Sequence, residues 1–179
     1  SDWKERMKHR QDPEPETSDS QTDQTGIRDR AKEFIGTEQV GISCRLIRPD
    51  HIDALWSEVE PHLERCVPHS EGELETEDFH QLLVNGEMQL WIAMEDEEIL
   101  AAMVTQIVPY PRKRILRIIA IGGGEMGRWL PFLPGLEEWA LENGATGLEC
   151  WGRKGWLKIL DDWKCSYHVL TKDLKSRMH

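Results

Sequence analysis

A glycine-rich run at residues 122–128, Gly-Gly-Gly-Glu-Met-Gly-Arg, is the part of the sequence with the clearest capacity for chemistry. It lies between an apolar run and a run with helical periodicity. Glycines let the backbone approach a ligand closely, and the amides at a helix N-terminus attract anions such as phosphate. Glycine-rich turns also occur for steric reasons alone. The run is therefore either a phosphate-binding turn or a plain connection from strand to helix.

Metal ligation is a second kind of chemistry to consider, because the chain has four cysteines and seven histidines. The cysteines are Cys44, Cys66, Cys150 and Cys165. They form no CxxC pair and fall within or beside apolar runs, which is typical of reduced core residues in a cytoplasmic protein. His69 and His80 lie near acids, but without the spacing of a zinc site. We therefore predict no metal site.

Composition predicts one domain with a hydrophobic core and argues against a free-standing nucleic-acid binder. The chain has 179 residues, of which 39% are hydrophobic, and a net charge of −11. Between residues 50 and 98, 15 acids stand against Arg65 alone. This stretch is either a solvated acidic face or a docking surface for a basic partner. No apolar run approaches the ~18 residues of a membrane span, and the polar N-terminus predicts no signal peptide.

Residues 1–41 differ in composition from the rest and are predicted to form an extended acidic arm. Within this arm, residues 11–25 hold five acids and two prolines but no aliphatic or aromatic residue. Such a segment buries too little apolar surface to offset the entropy of ordering it. We expect the arm to contact other proteins of a multi-chain assembly. We also expect a short helix near residues 27–35 that ends at Gly36.

From residue 42 onward, hydrophobic periodicity predicts alternating strands and helices. The predicted strands span residues 42–49, 88–94, 99–108, 114–122, 146–152 and 167–174. The predicted helices follow Asp50 and Thr76, start near Trp129, and span residues 154–163. The order is therefore β-α-α-β-β-β-α-β-α-β. Three consecutive antiparallel strands lead into the glycine-rich run, and a central helix follows it.

This order of elements, with a glycine turn at the start of the central helix, resembles the GNAT superfamily of N-acetyltransferases over residues 42–174. The resemblance implies an α/β (α+β) fold, with a mixed central sheet flanked by helices, over residues 42–179. The second half, from Arg128 through "RWLPFLPGLEEWALENGATGLECWGRKGW" to "LTKDL", also resembles small GNAT-like proteins of tailed bacteriophages. Some of those proteins are virion components of short-tailed phages.

The GNAT resemblance implies that the pyrophosphate of acetyl-CoA would sit at the N-terminus of the central helix. The candidate ligands there are Gly122, Gly123, Gly124, Gly127 and Arg128. The family signature is Gln or Arg, two residues, Gly, one residue, then Gly or Ala, and no Gln or Arg stands at the required place. Glu125 also puts a negative charge near the expected phosphates, which opposes binding. Arg128 partly offsets that charge.

The resemblance also implies a base and an acid for acetyl transfer. Many family members place a glutamate on or near the fourth strand and a tyrosine in the last helix. Here the strand predicted at 114–122 has no carboxylate, and Glu125 is the nearest candidate. The tyrosine position falls at about Leu160, which cannot donate a proton. Tyr167 starts a predicted strand and is expected to pack, so Glu125 and Tyr167 are catalytic candidates only if the chain is active.

Five tryptophans lie in the C-terminal half of the chain. They are Trp129, Trp139, Trp151, Trp156 and Trp163. Most are expected in the core, with one or two partly exposed, because tryptophan is frequent at interface hot spots. Arg153, Lys154 and Lys158 beside Trp156 form a basic group that would suit a CoA phosphate, a nucleic-acid backbone or an acidic neighbour.

Together these features predict a non-catalytic GNAT-fold protein without a cofactor, serving as a structural component of a bacteriophage virion. We expect it to contact other virion proteins, in part through the N-terminal arm. We expect it in the virion, and in the host cytoplasm before assembly. The alternative is an active N-acetyltransferase that depends on acetyl-CoA, since orientation alone supplies much of the rate in such reactions. A third hypothesis, a phage enzyme that acts as a toxin or modifies the host, needs the same cofactor site.

Overall fold

The computed structural model describes residues 33–34, 41–69, 72–123, 129–152 and 154–174. The strands are β1 (Glu33–Phe34), β2 (Ile42–Ile47), β3 (Gln89–Glu95), β4 (Glu98–Pro109), β5 (Arg114–Gly122) and β6 (Gly147–Cys150). The α-helices are α1 (Ile52–Glu64), α2 (Thr76–Val84) and α3 (Leu133–Glu142). Short 3-10 helices cover Pro49–His51, Val67–His69, Leu130–Phe132 and Lys154–Lys158.

The strands form one mixed sheet in which spatial order follows chain order, from β1 to β6. Neighbouring strands are antiparallel up to β5, and β6 then pairs with β5 in parallel. A parallel pair needs a crossover connection, which α3 supplies. The predicted fold class, a mixed sheet flanked by helices, is therefore confirmed. The three consecutive antiparallel strands β3, β4 and β5 are also as predicted.

Alternation along the central strands places one hydrophobic cluster on each face of the sheet. On β3, Leu90, Ile92 and Met94 belong to the first cluster, while Trp91 and Ala93 belong to the second. All five are buried, because both faces of β3 are covered. Helices α1 and α2 cover the first cluster, and α3 with the chain after β6 covers the second.

Helices α1 and α2 are positioned by apolar stripes and by a polar start signal. The buried residues of α1 are Ile52, Leu55, Val59 and Leu63, at the helical spacing that the sequence predicts. Helix α2 starts after Glu75, whose amide donates to Asp78 Oδ2 at 2.9 Å in a capping box. Phe79 and Leu83 of α2 then complete the first cluster. Helices α1 and α2 thereby form the layer that covers the first cluster, which includes Ala120 near the end of β5.

The C-terminal segment departs from the expectation. The helix predicted for 154–163 is only the 3-10 helix Lys154–Lys158, and the strand predicted for 167–174 is wrong, because these residues form no strand. A β pattern alone does not form a strand, and residues 167–174 do not pair with the outer edge of β6. Residues 167–174 are instead exposed along their whole length.

Two described residues of the N-terminal arm pair with the sheet. Glu33–Phe34 pair with Arg45 and Leu46 on the outer edge of β2. The helix predicted near 27–35 is therefore wrong at these two residues, because the backbone of an open edge strand outweighs local helix propensity. Apart from Gly41, the rest of the arm, including residues 11–25, lies outside the described residues. The division between arm and domain stays a prediction.

Candidate functional site

The two parallel strands β5 and β6 part before the glycine-rich run. β6 pairs with β5 only through Ile115–Ile118. On the other side of β5, the register with β4 shifts between Val104 and Thr105, so that Ile119 is an extra, bulged residue. Within the described residues, β5 beyond Ile118 therefore has a strand neighbour on one side only. We call the β6 side of residues 119–122, where β5 is not paired with β6 in the described structure, the notch.

Two glycines of the glycine-rich run are required by close packing against α1 and β4. A Cβ on Gly122 would collide with the backbone carbonyl of His62. Gly123 has a φ of +88°, and a Cβ there would collide with the His62 ring and lie 2.6 Å from the Leu100 carbonyl oxygen. Only glycine fits such positions without moving backbone. Packing alone thus explains Gly122 and Gly123, and their predicted contact with phosphate stays a prediction.

The other candidates in this run are Gly124, Glu125, Gly127 and Arg128, and all four lie outside the described residues. Their predicted roles, including that of Glu125 as a base, stay predictions. The described structure brings together Gly122 and Gly123 with the bulge of β5, at the C-terminal end of that strand. This is the end of the strand that faces α1.

Helix α3 starts with few free backbone amides. In the 3-10 helix Leu130–Phe132 that precedes it, the Phe132 amide donates to the Trp129 carbonyl at 2.9 Å. Pro131 and Pro134 have no amide hydrogen to offer. Trp129 and Phe132 are buried in the second cluster. Apolar side chains thus pack around this helix end, where an anion site needs exposed amides.

The predicted proton-donor position is apolar, and the alternative tyrosine stands apart. Leu160 is buried in the second cluster. Tyr167 is 84% exposed, so the expectation that it packs is wrong, because the strand that would carry it does not form. On β6, Glu149 Oε1 accepts a hydrogen bond from Arg117 Nε at 2.6 Å. This carboxylate is therefore engaged in an ion pair.

His62, which the sequence analysis did not single out, lies against the glycine turn. Its Nε2 is 3.1 Å from the Ile99 carbonyl, which only accepts, so Nε2 carries the proton. Nδ1 is then the unprotonated nitrogen of the ring, and it is buried without a hydrogen-bond partner in the described structure. Burial lowers the pKa of His62, and the positive charge of Arg65 lowers it further. The hydrogen bond to the Ile99 carbonyl and the negative charge of Glu98 act in the opposite direction but are outweighed. The sequence did contain a signal for the burial of His62, because position 62 follows Val59 at helical spacing on the buried side of α1.

We expect the wild type to lose more stability on acidification than His62→Gln does. In the unfolded chain the histidine binds a proton near pH ~6.5, whereas in the folded state it stays neutral to lower pH. The unfolded state binds more protons in this window, so the stability is lost as the pH falls through it. Urea unfolding at pH ~7.5 and ~5.5 measures the difference. His80→Gln is the control, at a surface histidine bonded to Asp53 Oδ1 at 2.7 Å. Equal pH dependence in wild type and His62→Gln would contradict the assignment.

A basic and aromatic group forms at the other end of β5. Arg117 lies between Glu149 and Tyr110, and its Nη2 donates to the Tyr110 hydroxyl at 3.0 Å. The Arg117 guanidinium also stacks on the ring of Trp151, 4.5 Å from the ring centroid. Lys113 lies 5.4 Å from the Tyr110 ring centroid. Trp151 is 59% exposed, in agreement with the prediction that one or two of the five C-terminal tryptophans are partly exposed. Trp156 packs against Gly152 and the second cluster. Arg153 and the side chain of Lys154 lie outside the described residues, so the basic group predicted around Trp156 stays a prediction.

The cysteines do not form a site with the acids and histidines. All four are thiols, and no cluster of possible metal ligands occurs in the described ranges. Burial raises the pKa of Cys44 to about 12, which keeps this core thiol protonated. Cys165 is exposed, so its interpretation as a core residue is wrong. None of the described helices is both long and apolar enough to cross a membrane.

Comparison with known proteins identifies the fold. No protein-family profile and no curated protein sequence matches the chain. Among solved structures, a predicted acetyltransferase with acetyl-CoA from Clostridium acetobutylicum matches with a TM-score of 0.56 and 18% identity, covering 77% of this chain and 99% of that one. A ribosomal-protein-alanine N-acetyltransferase from Brucella melitensis biovar Abortus 2308 matches with a TM-score of 0.55 and 12% identity, covering 74% and 99%.

An aminoglycoside acetyltransferase from an uncultured soil metagenomic sample is similar in the same way, with a TM-score of 0.57, 12% identity and coverage of 74% and 97%. Likeness at such low identity shows the fold alone. The resemblance to bacteriophage proteins gains no support from these structures. The sheet order, the parting of β5 from β6 and these matches together establish that the chain has the fold of the GNAT acetyltransferases.

Proposed function

We propose that this chain is a GNAT-fold protein that does not transfer acetyl groups and acts through protein–protein contacts. The observation that carries the proposal is the start of α3. The Leu133 amide already donates to the Leu130 carbonyl, and Pro131 and Pro134 offer no amides. A pyrophosphate at this end would meet few donors and two apolar side chains in place of an anion site.

The residues available for proton transfer support the same proposal. β5 contributes no carboxylate at the notch, and the position of the family's proton donor holds the buried Leu160. Glu149 forms an ion pair with Arg117 and lies in the part of β6 that pairs with β5, away from the notch. An acceptor amine at the notch would therefore find no described carboxylate to take its proton.

The specific assembly that we propose is a bacteriophage particle. The support is the resemblance of the C-terminal half to GNAT-like phage proteins, together with an acidic arm of a composition suited to wrapping a partner. In this proposal the arm contacts other virion proteins and the GNAT-fold domain provides a rigid body. Deletion of residues 1–26 would then weaken incorporation into the particle.

An acetyl-CoA-dependent N-acetyltransferase is the second candidate, and the notch favours it. The backbone of residues 119–122 has no strand neighbour on the β6 side in the described structure. Backbone amides and carbonyls of this kind can bind an extended ligand that carries amides of its own. The solved structures of the same fold are named acetyltransferases, one of them with acetyl-CoA.

We expect millimolar acetyl-CoA to leave the melting temperature of the full chain unchanged. A ligand at a hundredfold its dissociation constant would stabilise the fold by roughly 2.7 kcal/mol. At about 2–4 °C per kcal/mol for a domain of this size, such binding would raise the melting temperature by roughly 5–10 °C. Differential scanning fluorimetry measures the shift. Inorganic sulfate is the matched anion, because a shift common to both would report a simple anion effect.

A shift with acetyl-CoA alone would overturn the proposal and favour the acetyltransferase. Gly124→Trp should then abolish the shift, whereas Tyr167→Phe should preserve it, since Tyr167 stands apart from the notch. Gly122 and Gly123 are unsuitable for this test, because any side chain there collides with His62 and destabilises the fold itself. Glu125 would be the first residue to mutate in the search for a base.

A further inference from the structure

The hairpin formed by β4 and β5 projects beyond the neighbouring strands β2 and β3. The pairing of β3 with β4 begins at Gln89 and Thr105, so β4 from residue 106 onward has no β3 neighbour in the described structure. The turn of the hairpin is closed by the Tyr110 amide, which donates to the Lys113 carbonyl at 2.8 Å. The first cluster, which α1 and α2 cover, contains no residue between 105 and 118. The tip of the hairpin therefore stands clear of these two helices.

Exposed aromatic and basic side chains gather on this hairpin and at the end of β6. Tyr110 is 40% exposed and Trp151 is 59% exposed. Arg117 connects the two rings, because it stacks on Trp151 and donates to the Tyr110 hydroxyl. Arg112 and Lys113 are exposed at the turn. We call the five residues the hairpin patch: Tyr110, Arg112, Lys113, Arg117 and Trp151.

The cations that the hairpin patch offers to a partner are Arg112 and Lys113. Arg117 is already engaged, since its Nε donates to Glu149 and its Nη2 donates to Tyr110. Its guanidinium therefore lacks the free fork that binds a phosphate, and the net charge of −11 opposes a nucleic acid. Arg112 forms no ion pair within the described residues. Two exposed cations beside two aromatic rings suit an acidic peptide that also carries apolar side chains.

The sequence of the N-terminal arm contains a segment of this chemistry. Residues 12–16 read Asp-Pro-Glu-Pro-Glu, so that carboxylates alternate with prolines, and residues 11–25 include no lysine or arginine. Proline restricts its own φ and the conformation of the residue before it, so an alternation of this kind loses little entropy when it binds in an extended form. Aromatic surfaces are common docking sites for extended peptides that contain proline.

We propose that residues 12–16 dock on the hairpin patch of the same chain. In this contact the carboxylates pair with Arg112 and Lys113, and the prolines pack against the rings of Tyr110 and Trp151. The proposal does not depend on whether the chain transfers acetyl groups. A protein that binds the arm would compete with the hairpin patch for the same segment.

The place where the arm joins the sheet allows the segment to reach the hairpin patch. The antiparallel pairing of Glu33–Phe34 directs the preceding chain toward the Ile47 end of β2, which is the end where the hairpin projects. β5 lies four strand spacings from β1, about 19 Å, and the turn of the hairpin lies roughly 20 Å farther along the strands. Residues 17–32 can span up to about 53 Å. Because both partners belong to one chain, the effective concentration is on the order of millimolar, so a weak contact suffices.

The test is zero-length cross-linking of the full chain with a carbodiimide, which joins a carboxylate to a lysine amine only when the two groups touch. We expect mass spectrometry of the digested product to show Lys113 linked to Asp12, Glu14 or Glu16. An equal mixture of unlabelled and 15N-labelled chains identifies the source of each half, and the linked fragments should carry the same isotope. Salt at ~1 M should abolish the link, because the Debye length falls to about 3 Å.

Charge reversal at the hairpin patch should weaken the contact without unfolding the protein. Arg112→Glu should lower the yield of the Lys113 link about fivefold or more, because a repulsion replaces an attraction. Since Arg112 is exposed, the fold should tolerate this change. Lys158→Glu is the matched control, at an exposed lysine outside the hairpin patch, and should leave the yield unchanged. The exchange of charges in Lys113→Glu with Glu14→Lys should restore a link with the two partners reversed.

Three results would overturn the proposal. One is the linking of Lys113 only to Glu137 or Asp162, which line the same groove as Lys113. Another is a link that joins fragments of different isotopes, since the segment would then dock on a second copy. The third is equal linking of residues 12–16 to Lys113 and to Lys158, which would mean random contact with exposed lysines.

Discussion

Gly123→Ala should destabilise the protein by about 2–5 kcal/mol. Gly123 has a φ of +88°, where a side chain costs about 1–2 kcal/mol. Its Cβ would also lie 2.6 Å from the Leu100 carbonyl oxygen and 2.9 Å from Ala101 Cα, both backbone atoms of β4. Forcing these apart adds about 1–3 kcal/mol. Urea unfolding measures the sum.

Gly41→Ala separates the two contributions. Gly41 has a φ of +78°, but a Cβ added there would have no other atom within 4 Å, so the substitution carries the backbone strain alone. We expect a loss of about 1–2 kcal/mol. Equal losses at Gly41 and Gly123 would mean that β4 and α1 do not pack closely against the glycine turn. The steric explanation of this turn would then fail, and a ligand-binding explanation would gain.

Trp91→Ala should have a comparably large effect, a loss of about 3–5 kcal/mol. Trp91 is 1% exposed on β3 and belongs to the second cluster, edge to face with Trp139 at 5.1 Å between ring centroids. Its Nε1 donates to Thr105 Oγ1 at 2.9 Å, a bond that the truncation also removes. The cavity would lie between the sheet and α3. We expect the unfolding midpoint in urea to fall accordingly.

Trp151→Ala is the matched control, because it removes the same side chain at a position that is 59% exposed. Trp151 stacks on Arg117, and a contact of this kind contributes about 0.5–1 kcal/mol at an exposed site. If Trp151→Ala cost as much stability as Trp91→Ala, the second cluster would extend over the outer end of β6.

The glycine turn shows how far sequence reasoning reaches at the site. The two explanations for the run, phosphate binding and close packing, cannot be separated in the sequence, because both require glycine. The structure supplies the packing explanation for Gly122 and Gly123, since the colliding atoms belong to His62, about 60 residues earlier in the chain. His62 was not predicted as part of the site, because its contacts are also with residues that are distant in the sequence. Its buried state depends on Ile99 and the turn, and neither is local to α1.

The strands β2 to β5 and helices α1, α2 and α3 were predictable because local sequence determines their hydrophobic period. On β3 alternate residues enter opposite clusters, and on α1 Leu55, Val59 and Leu63 return to the same side at helical spacing. The sequence by itself therefore determined the order of the elements from β2 to β6, the faces of β3 and α1, and the α/β fold class. It also determined the negative charge and the lack of a carboxylate on β5.

Only the tertiary structure decided which of the weaker elements form. Glu33–Phe34 became a strand because the edge of β2 was open to them, and residues 167–174 did not, although their pattern favours one. A β-strand is stable only through hydrogen bonds to a neighbour that is distant in sequence, so its own residues cannot determine whether it forms. The same holds for the start of α3. The Phe132 and Leu133 amides donate within the 3-10 helix, and Trp129 and Phe132 are buried in the second cluster.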